Sequence, residues 1–195
     1  MNHIEYTLSR LFFNFKGRDA KLFTKASSFS QFPSPTINLE CQLGPSGTRL
    51  DVDHSADGVG RFPTLTWPIS PTIKEYLLIS EDPDAPLPNP VIHGIYYGIP
   101  ATMTGVTAED FESDGDGLKG GFSYGQNRRG NVYIPPRPLL GHGPHRYFFT
   151  LVALSKPIEG AAFQGRPTIK EVLAEIEGKV VGWGEWVGVY KRKWE

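Results

Sequence analysis

The chain has 195 residues, with 20 Lys and Arg against 21 Asp and Glu and a formal net charge of -1. That length fits one domain with a full core, and so even a charge gives no bulk reason to expect nucleic acid or an anionic surface as partner. The single cysteine, Cys41, excludes an intrachain disulfide and a multi-cysteine zinc site.

Near the start, Leu8, Leu11, Phe12 and Phe15 fall at i, i+3, i+4 and i+7, on one face of a helix that Gly17 stops. The reading is an arm docked on its own domain through this stripe, so that its loss harms stability more than ligand binding; a membrane-surface or partner-binding helix is the alternative. Ser, Pro and Gln crowd positions 27 to 35, which read as a loop. Residues 1–35 are thus expected to form a helical arm and loop, and 36–195 a β domain.

Ile37, Leu39, Cys41 and Leu43 alternate with polar residues, as in a half-buried strand. Tyr76 to Ser80, Ile92 to Ile99 and His145 to Leu154 are apolar strands. Positions 101 to 131 are rich in Gly, Asp, Ser and Asn and read as a long excursion with little regular structure. Thr168 with Glu171 is a capping box, and Ile169, Val172, Leu173 and Ile176 line one face of the helix it opens. Val181 to Tyr190 alternates β-branched or aromatic residues with small ones, a last strand. The class is β-dominated with antiparallel pairing. No apolar run approaches the ~20 residues that span a bilayer. Asn2, His3 and Glu5 open the chain without an apolar signal core, so the cytoplasm is the expected compartment.

Three segments carry groups able to do chemistry. DPDAP, from Asp82 to Pro86, follows the first apolar strand, and Pro83 and Pro86 stiffen its turn. His93 sits in the next strand. YIPPRPLLGHGPHRYFFTL, from Tyr133 to Leu151, brings His142 and His145 into the last approach to a core strand. A carboxylate such as Asp82 would orient His145 and leave its other N–H to face an anion. A metal site from His93, His142, His145 and a carboxylate competes with this, but no two histidines have helical i, i+4 or strand HxH spacing. Asp82 and Asp84 with His145 could also serve a hydrolase as acid and base. There is no GxSxG elbow and no phosphate-binding glycine loop.

DPDAP, the strand ending IP at 99 to 100, FPTLTW at 62 to 67 and GHGPHRYFF at 141 to 149 together resemble the phosphatidylethanolamine-binding protein family. The resemblance implies a large antiparallel sheet packed on a smaller sheet with peripheral helices. It implies a non-enzymatic binding protein whose pocket takes phosphate-like head groups or small anions, with Asp82, Asp84, His93, His145 and Tyr147 as its residues and Pro86 and Pro138 as its wall. The histidine spacing predicts that no metal is needed, and no cofactor is expected. Partners would be a serine carboxypeptidase, inhibited through the arm or the 101 to 131 segment, or a kinase-pathway protein. Gly94 stands where a tryptophan often follows the histidine, and Arg137 enters the loop that cradles the anion.

Overall fold

The computed structural model describes residues 2–70, 72–114 and 117–193. Helix α1 spans Asn2–Leu11, and three single turns of 3-10 helix follow between 19 and 29. The strands are β1 (Glu40–Cys41), β2 (Leu65–Thr66), β3 (Glu75–Asp82), β4 (Val91–Pro100), β5 (Gly105–Val106), β6 (Ser113–Asp114), β7 (Gly117–Leu118), β8 (Ser123–Tyr124), β9 (His145–Leu154) and, after helix α2 (Ile169–Glu175), β10 (Val180–Tyr190). The large sheet runs β10-β9-β3-β4-β8, antiparallel at every pairing. The small sheet is β1-β2-β5, and β6 and β7 form a separate two-stranded antiparallel sheet.

β3 lies at the centre of the large sheet, and all eight of its residues are buried. Alternation sends Tyr76 and Leu78 to one face and Leu77 and Ile79 to the other. The first pair joins Cys41, Leu65 and Val106 of the small sheet with Phe149, Leu151 and Trp186. The second joins Val172 of α2 and Ile176 at its C-terminal end, and Phe23 and Phe29 of the 3-10 turns. One face of the large sheet therefore packs on the smaller sheet and the other on helical segments. Burial of each such Leu, Ile or Phe contributes about 1.5–3 kcal/mol.

The alternation at 37 to 43 buries Leu39 and Cys41 as read, but only Glu40 and Cys41 join a ladder. Just upstream, the backbone N–H groups of Thr36 and Ile37 instead donate to the Trp183 carbonyl at 2.8 and 3.0 Å, tying this stretch to β10. The 101 to 131 excursion is more ordered than its composition implies. Phe111, Leu118 and Phe122 are buried around Tyr96, and Thr107 and Asp110 close a capping box on the turn Ala108–Phe111.

The arm docks in the opposite sense to the one its apolar pattern predicts. Leu8, Leu11 and Phe15 are exposed, and so is Ile4. The covered side is the polar one. Ser9 is fully buried, and Glu5 Oε1 accepts from the Leu140 N–H at 3.2 Å and from Arg192 Nη1 at 2.5 Å. Gly141 (φ +75°) adopts a conformation that L side chains rarely take, and a Cβ there would stand 2.9 Å from the Tyr6 ring. These polar anchors fix which face turns inward. Among the described residues no helix is long and apolar enough to cross a membrane.

Candidate ligand pocket

The ends of three neighbouring strands assemble the site. β3 ends on Asp82, whose Oδ1 accepts the backbone N–H groups of Asp84 (2.7 Å) and Ala85 (3.1 Å). Those bonds, with Pro83 and Pro86, make a stiff turn. Oδ2 accepts from His145 Nδ1, 2.8 Å away on the first residue of β9. Both side chains are almost fully buried. His93, on β4, donates from Nδ1 to the Ile134 carbonyl at 2.5 Å, and its Nε2 is buried without a partner among the described residues. Tyr147 lies between the histidines, its ring edge-on to His93 (5.1 Å between centroids) and nearly parallel to His145 (6.5 Å).

These groups line a cavity of about 230 Å³, together with Pro86 and Pro138. Leu87, Val91, Ile134 and Leu139 give it an apolar wall, and Arg128, Arg129 and Arg137 complete its lining. All three arginines are exposed, so they form a cationic rim over a buried floor. Burial holds His93 below the usual imidazole range, against the pull of Asp82. Its ring is therefore neutral near pH 7, and with Nδ1 as donor its Nε2 is an acceptor. Burial also keeps the Tyr147 hydroxyl a phenol.

Two expectations change. The first concerns the second nitrogen of His145, which does not face the cavity as a free N–H. It lies 2.7 Å from His142 Nδ1, and His142 Nε2 in turn donates to the Phe12 carbonyl at 2.9 Å. The second concerns Asp84, which is turned away from the cavity. Its carboxylate accepts from the Gly17 N–H (3.1 Å), the Arg146 N–H (2.9 Å) and the Arg146 side chain at Nε and Nη2 (both 2.8 Å). Burial by itself would raise the Asp84 pKa, but Arg146 outweighs it and holds the group below the usual carboxylate range. Two carboxylates separated by one proline on a tight turn point to opposite sides, so Asp82 and Asp84 are not an acid and base pair at one site. Among the described residues no three His, Cys, Asp or Glu side chains group as metal ligands.

The structure adds residues that the motifs did not single out. Asn127 donates from Nδ2 to the His93 and Asn131 carbonyls, and its Oδ1 accepts the N–H groups of Arg129 and Asn131. It thereby seats the two rim arginines beside β4. Tyr96 holds the same segment by donating to the Val132 carbonyl at 2.9 Å. A Cβ on Gly94 would stand 2.2 Å from that hydroxyl, so glycine is required there. A larger cavity, about 370 Å³, lies beside Glu81, Phe23 and Leu173. It does not gather the buried histidines and rim arginines that distinguish the smaller one.

Residues 42–191 match the family described as phosphatidylethanolamine-binding protein. The chain belongs to that family. A relative in Talaromyces stipitatus, named phomoidride biosynthesis cluster protein B, is 46% identical over 199 residues, covering 98% of this chain and 82% of its own length. The crystal structure of a family homologue from Chlamydia trachomatis superposes with a TM-score of 0.68 at 25% identity, over 82% of this chain and 99% of that one. The carboxypeptidase Y inhibitor, in a structure with its cognate proteinase, matches with a TM-score of 0.52 at 14% identity, over 94% and 96% of the two chains. That last likeness is one of fold alone.

Proposed function

We propose that this family member is a binding protein, not an enzyme, and that its pocket takes a small organic anion: a phosphate or carboxylate group with an apolar portion attached. The observation that carries the reading is the cationic rim of Arg128, Arg129 and Arg137 over a cavity with one apolar wall and a floor of Asp82, His93, His145 and Tyr147. Arginine pairs well with planar and tetrahedral anions. The neutral His93 Nε2 would accept a hydrogen from a hydroxyl or a protonated acid oxygen on the same ligand. Separation of Asp82 from Asp84 counts against acid–base hydrolysis, and the one thiol, Cys41, is buried in the core on β1 of the small sheet. Similarity along almost the whole chain to a protein named for a biosynthesis cluster supports a metabolite of such a pathway as the ligand.

NMR titration with phosphorylethanolamine and with a short alkyl carboxylate tests this. Shifts are expected at His93, Tyr147 and the loop around Arg137, with modest affinity, since each charge-assisted hydrogen bond contributes about 1.5–3 kcal/mol. Arg128→Ala with Arg137→Ala should weaken binding by about tenfold or more on the same scale. If neither probe shifts these residues, the anion reading fails.

A further inference from the structure

We propose that the larger cavity, the one beside Glu81, is a second ligand site, and that it takes a small uncharged molecule through a hydrogen bond from the Glu81 carboxyl group to a carbonyl oxygen. Glu81 is the next-to-last residue of β3 and is only 2% exposed. Its Oε1 accepts the backbone N–H of Phe23 at 2.8 Å, which pins the turn Phe23–Lys25 to the sheet. Among the described residues the carboxyl group makes no other hydrogen bond. Burial raises its pKa to about 8 against the pull of the Phe23 N–H, and Glu185 of β10 adds to the rise. Near pH 7 the group is therefore a neutral acid that carries an O–H. A buried donor left without an acceptor is costly, so this O–H calls for one.

The cavity supplies the room. Its volume of about 370 Å³ falls within the roughly 300–1,000 Å³ of small-molecule sites. Ile92 of β4 sits across the ladder from Glu81, and Ile169 and Leu173 lie one turn apart on the same side of α2. With Phe23 they form an apolar wall around the one acid. A ligand seated there needs one hydrogen-bond acceptor and otherwise apolar surface. Charge at the mouth narrows the choice further. Lys21 and Lys25 line the opening and are exposed, which disfavours an amine cation. Nor do they invite a carboxylate. Lys21 Nζ already donates to the Pro88 carbonyl and to Asn89 Oδ1, at 2.8 and 3.1 Å, and Lys25 has the charge of Glu185 beside it. The smaller cavity, with three arginines at its rim, is the one suited to an anion. The two sites thus differ in the charge of what they take, and either could bind without the other.

NMR titration of the full chain with acetophenone, ethylbenzene and benzoate, which share a ring and a similar size, tests the proposal. Near pH 7 acetophenone should shift the Phe23 amide and the Ile92 and Leu173 methyl signals. Ethylbenzene, which lacks the carbonyl oxygen, should bind about three- to tenfold more weakly, the worth of one neutral hydrogen bond. Acetophenone affinity should fall to the ethylbenzene level as pH rises through about 8 and Glu81 ionises. Glu81→Gln keeps the acceptor for Phe23 and presents an N–H to the cavity, so it should bind acetophenone without that fall. Leu173→Trp, which fills the cavity from its half-buried wall, should abolish the acetophenone shifts and leave the phosphorylethanolamine titration unchanged. The proposal is overturned if acetophenone leaves Phe23, Ile92 and Leu173 unmoved. It is equally overturned if ethylbenzene binds as tightly, which would make Glu81 an idle part of the wall, or if benzoate binds more tightly, which would make the lysines the recognising groups. The same alkaline fall in Glu81→Gln as in wild type would also overturn it.

Discussion

His142 Nδ1 faces His145 Nε2 at 2.7 Å, and only one hydrogen fits between them. His142 already donates from Nε2 to Phe12, and His145 from Nδ1 to Asp82. The chain Asp82–His145–His142–Phe12 therefore ties the floor of the pocket to the arm. Replacing His142 with Ala should free the Phe12 carbonyl and cost about 1–3 kcal/mol of stability. Hydrogen exchange at residues 12 to 17 should speed up well before global unfolding. Unchanged exchange there would mean that the histidine pair does not hold the arm.

The pH dependence of stability should have two limbs of opposite sign. Glu81 is raised from 4.5 to about 8, chiefly by burial, with the Phe23 N–H pulling it down and Glu185 pushing it up. Between those values the folded chain holds more protons than the unfolded one. The Glu81 contribution is thus complete below about pH 4.5 and is lost as pH rises to about 8. His142 behaves in the opposite way. Burial lowers it from 6.5, so the unfolded chain binds more protons below that pH and stability falls as pH drops. Denaturant unfolding across this range should show Glu81→Gln losing the alkaline limb and His142→Ala the acid one. A Glu81→Gln profile parallel to wild type would sink the assignment.

Asp82 and Asp84 should separate fold from site. Asp82→Ala strips acceptors from two turn N–H groups and from His145, at about 1–3 kcal/mol for each donor left buried and unpaired. It should lower both the melting temperature and the affinity for phosphorylethanolamine. Asp84→Ala abandons Gly17 and Arg146, which keeps Asp19 as a partner at 2.7 and 2.9 Å. It should lower the melting temperature and leave the pocket titration nearly unchanged. Equal loss of binding in both variants would place Asp84 at the ligand after all.

What the sequence revealed followed the strength of the local pattern. β3, β4, β9 and β10 are continuous apolar or alternating runs, and they were readable to within about two residues. β2, β5, β6, β7 and β8 have two residues each and are defined by partners far away in the chain, which no local period records. Asp82 and His145 could be singled out because prolines and glycines mark the loops beside them, and with His93 of β4 and Tyr147 of β9 they line one cavity. Asp84 was misplaced because motif spacing does not report which side of a turn a carboxylate takes. Arg128 and Arg129 sat in a segment that composition marks only as loop, although an Asn beside paired arginines, in GQNRRGN, was a usable signal. The arm was read with the wrong face inward because hydrophobic periodicity assumes that the apolar side is the buried one.

That inverted arm reverses the expected outcome of removing it. If the stripe were docked, a chain beginning near Ala20 would lose several buried side chains and much stability, yet keep its pocket. The observed contacts are polar and reach both pocket loops. The Phe12 carbonyl holds His142, and Glu5 holds the Leu140 N–H and Arg192. At the other loop, the Gly17 N–H donates to Asp84, and the Arg18 N–H donates to the Pro83 carbonyl at 2.9 Å. Truncation leaves these groups to water, at a net cost of about 0.5–1.5 kcal/mol per hydrogen bond, and loosens the loops on either side of the cavity. The truncated protein should stay folded with a moderately lower melting temperature. Its affinity for phosphorylethanolamine should fall by about tenfold, because ordering two loops on binding opposes one or two charge-assisted bonds. Parallel melting curves and NMR titrations of full-length and truncated protein decide the matter. Full affinity in the truncated chain would show that the arm braces neither loop.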